Sequence, residues 1–462
     1  MTSQLTLPTS KIQPPLDENF HPAILANRAF QAQCKKNGIP LVIGLERSSG
    51  EITRFETKIL PEDHPKAEEN VEYIERIIKF LLWQRGGFKL YIGGSEKIGK
   101  SLQKIYAQDG SRKFDYDFLG KKVYEQDFEV VICTVDEVPA SHEAGKLLGG
   151  YLQGARIGFD LGASDRKVSA VVDGEVVYSE EVVWEPRKHS DPAYHAREIK
   201  KALSTAASRM PHVDAIGGSS AGVYVENRPM VASLFRAIPE EKFGEIKNLF
   251  LKIKDEMGVP LEIINDGDVT ALAGAMSLED TGILGIAMGS SEAAGYVNAD
   301  GRIMGWLNEL AFAPVDYNPN APIEEWSGDI GCGASYFSQQ CVFRLAPAAG
   351  IEIPEDVTDA AKLKFVQEKL EAGHKGAIKI WQSIGVYLGY TLAHYADFYD
   401  LKHVLILGRC TSGSGGDLII EGAQNVLKNE FPELNFHIQL PDEKSRRVGQ
   451  SIAAASLPAL EK

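Results

Sequence analysis

Residues 157–177 read IGFDLGASDRKVSAVVDGEVV, and the way this stretch folds decides the reading of the rest of the chain. An apolar run ends in Asp160-Leu161-Gly162-Ala163-Ser164, and a second run starts at once. A third, EVVYSEEVVW, follows another tight turn. Short apolar runs separated by small-residue turns predict successive β-strands. The first turn also carries possible chemistry. Gly162 has no Cβ and lets backbone approach a phosphate closely. Asp160 presents the hard oxygen that Mg2+ prefers. An ordinary hairpin uses the same residues, so this stretch alone leaves both readings open.

Working outward, residues 283–303, ILGIAMGSSEAAGYVNADGRI, repeat the design. Here Gly289, Ser290 and Ser291 occupy the turn and offer N–H and hydroxyl donors. After the first set of strands the spacing predicts a helix over about 192–209, a strand in VDAIGGSSAG, a helix over about 240–257 and the strand LEII. The second set is followed by an irregular Pro-rich insert (311–330), a long helix over about 373–399, the strand HVLILG, a helix, the strand NFHIQL and a closing helix from Ser445. Strands first, then alternating helix and strand, given twice, predict a pair of α/β lobes with mixed sheets. Two further segments stand out. In LEIINDGDVTALAGA (261–275) a strand ends at Asn265-Asp266 and a small-residue helix begins. A carboxylate there, at a cleft between lobes, can accept the proton of a substrate hydroxyl; it can equally be a helix N-cap. In HVLILGRCTSGSGGDLIIEG (403–422) a glycine-rich turn beginning at Gly408 joins a strand to a helix.

Before residue 154 stands a shorter α/β pattern: the hairpin PLVIGLERSSGEITRFETKIL, a long helix, a strand, a helix, the strand FEVVICTV and a helix over SHEAGKLLGGYL. Its residues 88–153 parallel residues 403–459 in order. Within it, Gly94–Ser101 (GSEKIGKS) matches the phosphate-loop pattern G-x-x-x-x-G-K-[ST] literally. Only a short stretch follows before the next unit, too little for the larger parallel sheet that such a domain needs. Gly94–Ser101 is therefore expected to be a structural turn and helix start.

The bulk numbers set limits. The 462 residues carry a net charge of −15, which disfavours nucleic acid or an anionic membrane as the main partner. Five scattered cysteines without a C-x-x-C pair predict no disulfide scaffold and a cytoplasmic setting. No apolar run is long enough to span a membrane. His189 and His195 read as surface residues, and the Pro/Ser/Thr-rich start as a loose arm.

The four segments, in this order, resemble the ROK group of sugar kinases and related repressors, in the sugar-kinase/actin superfamily, over about residues 155–460. The family pattern D-x-G-G-T-K stands here as Asp160–Asp165, N-D-A-N-A-A as Asn265–Thr270, and the second phosphate loop G-T-G-I-G-G-G as Gly289–Gly295. The resemblance implies two ribonuclease-H-like, actin-like ATPase lobes, with the N-terminal α/β unit as a shortened copy of the second. It divides the chain into a flexible arm (1–39), the extra unit (40–153), a first lobe (154–264 plus helix 445–460) and a second lobe (265–444). It implies ATP-dependent phosphoryl transfer to a sugar hydroxyl, with Asp266 as base. Asn265, Glu309, Ser220 and Gly222 would contact the sugar. Asp160, Gly162, Ser164, Gly289, Ser290, Ser291 and Gly408 would hold the nucleotide, with Mg2+ on Asp160. A non-catalytic sugar- or nucleotide-binding regulator of the same fold is the alternative. Family kinases commonly dimerise through the second lobe; an intrachain copy there predicts a monomer, or a dimer through another face.

The departures concern sugar and metal. The family's G-E-x-G-H reads Asn308-Glu309-Leu310-Ala311-Phe312, so a sugar-binding histidine becomes Phe312. Its zinc stretch, C-x-C-G-x-x-G-C-x-E, reads EWSGDIGCGA (325–334), with Glu325 and Ser327 for two cysteines, Cys332 retained, and Ala334 for a sugar-binding glutamate. Zinc takes four N, S or O ligands, so no zinc is expected. Trp306 and Trp326 flank the region, as packing that replaces the metal or as platforms for a sugar face.

Overall fold

The computed structural model describes residues 5–143, 149–441 and 443–460. It forms two compact units, one of Met1–Ala144, Ile286–Ala294 and Trp306–Leu440, the other of Gly145–Gly285, Gly295–Gly305 and Pro441–Lys462. The chain begins with α1 (Ala23–Asn37), β1 (Ile39–Glu46), β2 (Ile52–Ile59), α2 (Glu69–Arg85), β3 (Lys89–Gly93), α3 (Glu96–Ile105), α4 (Lys113–Asp115, running on as a π-helix over Tyr116–Tyr124) and β4 (Glu129–Cys133). Next come β5 (Ala155–Leu161), β6 (Asp165–Val172), β7 (Glu175–Val183), α5 (Pro192–Ala207), β8 (Ala215–Ser220), β9 (Val223–Val225), β10 (Arg228–Val231), α6 (Glu240–Lys247), α7 (Leu249–Met257), β11 (Leu261–Asn265) and α8 (Asp266–Leu278). The last third holds β12 (Ile283–Met288), β13 (Glu292–Val297), α9 (Gln339–Leu345), α10 (Asp359–Glu371), α11 (Lys375–Tyr395), β14 (His403–Leu407), α12 (Gly415–Glu430), β15 (His437–Gln439) and α13 (Glu443–Ala455). None of the described helices is long and apolar enough to cross a membrane.

The unit that contains β5 is built on a five-stranded sheet in the order β11-β8-β5-β6-β7. β5 pairs antiparallel with β6, and β6 with β7, while β5–β8 and β8–β11 are parallel. This is the predicted hairpin pair followed by helical crossovers. β5 and β8 are buried along their whole length, as strands covered on both faces must be. On one face α5 packs Ile199, Ala202, Leu203 and Ala206 into a core with Ile157, Phe159 and Phe250. On the other lies α13. A Cβ at Gly158 or Gly217 would fall 1.6 Å from the Ser451 or Ala454 carbonyl oxygen, so these two strand glycines let the closing helix rest directly on the sheet. The helix predicted over about 240–257 is two, α6 and α7, broken at Asn248.

The other unit holds two four-stranded sheets, β2-β1-β3-β4 and β13-β12-β14-β15. The orders correspond strand for strand, and in each the last two strands are parallel and joined by a helix, α3 or α12. The number of strands has a topological consequence. Only two strands precede α2, so β3 returns antiparallel to β1, whereas three strands precede α5 and β8 runs parallel to β5. The third strand expected after β13 is absent among the described residues; irregular chain takes its place. α11 and α12 approach closely at Gly385 and Gly422, each of which leaves no room for a Cβ against the other helix's backbone.

One expectation is met and one changes. Gly94–Ser101 is not a phosphate cradle. α3 starts at Glu96 with Ser95 as N-cap, and Lys100 lies in its second turn, paired at 2.6 Å with Glu96. The N-terminal arm is not loose. Residues 23–37 form α1, and the chain before it is tied down: the Lys11 N–H donates to Glu430 (2.8 Å), Leu16 N–H to the Ser383 hydroxyl (3.2 Å), and buried Phe20 packs its ring 4.7 Å from Tyr387. Composition predicted mobility; the apolar residues between the prolines supplied anchors. Of the helix predicted over SHEAGKLLGGYL (141–152), residues 144–148 lie outside the described residues; His142, at its start, forms a β-bridge with Ile52, and residues 149–152 are not helical.

Candidate active site

The β5 unit brings Asp160 and Asp266 together. Asp160 lies near the C-terminal end of β5, opposite Ser219 of β8 and Lys167 of β6, and is buried. Burial pushes its carboxyl above the usual range. β11 ends at Asn265, and the next residue opens α8. The cap is Asn265, not Asp266: its Oδ1 accepts the Gly267 N–H at 2.7 Å while its Nδ2 donates to the Gly222 carbonyl at 2.8 Å. Asp266 Oδ1 accepts the same Gly267 N–H at a longer 3.1 Å. Its carboxyl is pushed up to about 6, mainly by burial, then by the negative charge of Asp160. Two carboxylates close together in a dry setting raise each other's pKa, and a value near neutrality suits a base.

The remaining residues predicted in this unit fall around that pair. In the first turn the Gly162 N–H is spent on the Asp165 carbonyl (2.9 Å), and Ser164 donates its hydroxyl to the Asp165 carboxylate (2.9 Å). Gly222 is needed by the backbone, at φ 123° with the Val231 carbonyl where a Cβ would go. Ser220 is fully buried. His195 is not a surface residue: it is buried on α5, its ring nitrogens 3.3 Å and 3.1 Å from the Asp191 and Pro186 carbonyl oxygens.

In the other unit the second turn and the glycine-rich turn meet. Gly408 stands at φ 99°, with Met288 backbone where its Cβ would be, and the Cys410 thiol approaches the Gly289 carbonyl at 3.9 Å. Ser290 and Ser291 are exposed. α10 braces the glycine-rich turn: Glu371 accepts from the Ser414 N–H (2.8 Å) and hydroxyl (2.9 Å), and Gln367 donates to the Arg409 carbonyl (2.6 Å). Sequence reasoning passed over Glu292, although a glutamate opening an otherwise apolar strand was a signal. Its carboxyl is buried, neither oxygen has a hydrogen-bond partner among the described residues, and burial reinforced by Glu309 pushes it up to about 8.

The segment aligned with the zinc stretch does not fit a metal. Cys332 is buried with its thiol held well above the usual range, Glu325 is exposed, and the Ser327 hydroxyl accepts the Asp329 N–H at 3.2 Å. Among the described residues no group of three or more His, Cys, Asp and Glu is placed to hold a metal. Phe312 turns into an aromatic cluster, its ring 4.3 Å from Trp83 and 5.8 Å from Phe114. It packs against other rings and is buried among them. Trp306 lies under the Arg85 guanidinium at 3.9 Å, and Trp326 is exposed.

No family model matches the sequence, and no curated protein does. Solved structures do. A ROK hexokinase from Thermus thermophilus matches with a TM-score of 0.50 at 17% identity, over 65% of this chain and 98% of that one. A ROK family transcriptional regulator, homolog of the E. coli MLC protein, matches at 0.51 and 17%, over 66% and 77%. The fold is that of the ROK proteins. A ROK family glucokinase from Streptomyces griseus, in complex with glucose and AMPPNP, is similar at 18% identity and a TM-score of 0.48, over 65% and 99%. At these identities the likeness is one of ROK fold. About a third of this chain lies outside each match.

Proposed function

We propose that this protein transfers a phosphoryl group from ATP to a hydroxyl of a sugar or sugar-like small molecule. The observation that carries the reading is the Asp160–Asp266 pair, with Asp266 half-buried, its carboxyl raised toward neutrality, and Asn265 rather than Asp266 serving as the N-cap of α8. The ROK fold of a hexokinase supports it. In this reading Asp266 accepts the proton of the attacking hydroxyl as the oxygen forms its bond to the γ-phosphorus and the bond to the departing ADP oxygen breaks. Asp160 would hold Mg2+, since the ion needs only one or two carboxylates beside the phosphates. Bound there, the ion would offset the charge that builds on the phosphoryl oxygens. Gly162, Ser164, Gly289, Ser290, Ser291 and Gly408 would line the phosphates, and Asn265, Glu309, Ser220 and Gly222 the sugar. The protein would act in the cytoplasm, as a monomer or a dimer through a face the family does not use.

A second reading, a non-catalytic regulator that binds sugar or nucleotide, is favoured by one observation: Phe312 packs among rings where the family has a sugar-binding histidine. The deciding experiment is thermal melting with ATP·Mg2+ and a panel of hexoses, hexosamines and polyols, followed by assay of ADP release. Ligands at a hundredfold excess over Kd stabilise by about 3 kcal/mol. Stabilisation by ATP with sugar-dependent ADP release is the expected result. Stabilisation by a sugar without turnover supports the regulator, and no shift with any nucleotide overturns the kinase reading.

A further inference from the structure

The residues around Glu309 are held by α2. A helix leaves its last four carbonyls without partners in the helix. In α2 the Leu82 carbonyl accepts the Gly86 N–H, while the Trp83 and Gln84 carbonyls accept the N–H groups of Glu309 and Asn308, each at 2.9 Å. Asn308 is in the left-handed region at φ 48° and its Oδ1 accepts the Tyr399 hydroxyl at 2.9 Å. The Gln84 side chain donates to the Phe398 carbonyl at 3.2 Å. The two backbone bonds fix the chain at 308–309 to the end of α2, and the bonds to Phe398 and Tyr399 tie α2 and Asn308 alike to the chain that follows α11.

One turn earlier, α2 carries charges. Arg76 and Lys79 reach Asp329 at 3.2 Å and 3.9 Å, and Arg112 reaches it at 2.7 Å. Lys79 also pairs with Asp115 at 2.6 Å, and that carboxylate accepts the Trp83 indole N–H at 2.6 Å. Glu75 pairs with Arg76 at 2.7 Å and with Arg112 at 2.6 Å. Arg76, Lys79 and Arg112 thus face Glu75, Asp115 and Asp329, three charges against three, with Lys79 fully buried. Asp329 belongs to the segment whose residues do not fit a zinc site. That segment is instead tied internally by Glu324, which accepts the Trp326 and Ser327 N–H groups at 3.0 Å and 2.7 Å, and externally by the cations of α2.

We propose that α2 is the positioning element for Glu309. Its two free terminal carbonyls seat the 308–309 backbone, and Arg76 and Lys79 pin the segment behind it through Asp329, so that the chain's own cations do the work that bound zinc would do for such a segment. The proposal rests on the reading of Glu309 as a sugar contact, and it assigns the N-terminal helix a part in sugar binding.

The test compares Lys79→Met, the neutral pair Lys79→Met/Asp115→Asn and the conservative Lys79→Arg in the full chain. Hydrogen–deuterium exchange of a peptide spanning 306–312 reports the seat directly and needs no activity. Exchange at the 308 and 309 amides should speed at least tenfold in Lys79→Met and return toward the parent in Lys79→Arg. The KM for sugar should rise about tenfold in Lys79→Met with kcat within threefold and the KM for ATP unchanged. Should Lys79→Met not fold, the double variant, which leaves no charge unpaired between those two positions, carries both readouts. Unchanged exchange at 308–309 in a folded variant overturns the proposal, as does an equal rise in both KM values. A parent without turnover overturns the kinase reading alone, because the exchange result still decides the role of α2.

Discussion

At the scale of single residues, burial sets the chemistry more than sequence neighbours do. Asp266 and Glu292 are carboxyls in dry surroundings, and each is held above its ordinary value. For such a group the folded state keeps a proton that the unfolded chain has lost, so stability falls as pH rises from the unfolded pKa to the folded one. For Asp266 that window ends at about 6. Asp266→Asn removes both the base and this cost. The expected outcome is turnover below about a hundredth of the parent, with ATP-induced stabilisation retained and a melting temperature at pH 8 equal to or above the parent's. Turnover above a tenth would exclude Asp266 as the base. Glu292 gives a second test with a different window. Glu292→Gln should melt with the parent near pH 5 and progressively above it up to about pH 8, where the carboxyl ionises. A constant difference across that range would mean that Glu292 is not buried as a neutral acid. Asp266 was legible in the sequence because a strand end and a helix start coincide there. The environment that decides between cap and base was not, since Asn265 and Asp266 suit an N-cap equally well.

At the scale of elements, the periodic pattern placed most strands and helices, because alternation and helical spacing are local properties, but it passed over α1, α9, α10 and the short strands β9 and β10. It failed where the outcome depends on distant partners. The first 22 residues look like a polar arm until Tyr387, Tyr390 and Ser383 of α11 supply partners some 370 residues away. The GSEKIGKS match failed for a local reason: Ser95 is an N-cap, its hydroxyl accepts the Ile98 N–H at 3.3 Å, and a helix that starts there leaves no loop to cradle a phosphate. In the segment 311–334 the sequence shows too few ligand residues to close a zinc site but not what ties the segment down, because Arg76 and Lys79, which pair with Asp329, come from α2. Purified protein is therefore expected to hold less than about a tenth of an equivalent of zinc, and chelators to leave its melting temperature unchanged. Elemental analysis near one zinc per chain would show that Cys332 and its neighbours rearrange around a metal.

At the scale of the whole molecule, the N-terminal third is integral to one of the two compact units. A sheet of the order β2-β1-β3-β4 repeats the order β13-β12-β14-β15 within the same unit, and α1 packs along α11. A half-sized α/β layer standing alone would leave an apolar face uncovered; here Phe30, Trp83 and Phe80 are buried. The arm ahead of it extends that packing through Phe20, which is buried against Tyr336, Tyr387 and Tyr390, and through Asp17, which accepts from the Tyr387 hydroxyl at 2.6 Å and from Arg344 at 3.0 Å. Truncating a buried Phe to Ala costs about 3–5 kcal/mol through lost burial and the cavity left behind. Phe20→Ala is thus expected to lower the melting temperature by several degrees and to expose residues 5–22 to limited proteolysis, whereas substitution of exposed Lys11 by Ala should change neither, since its bond to Glu430 runs through the backbone N–H. Parent-like melting and protease resistance in Phe20→Ala would return the arm to the loose tail that its composition suggests.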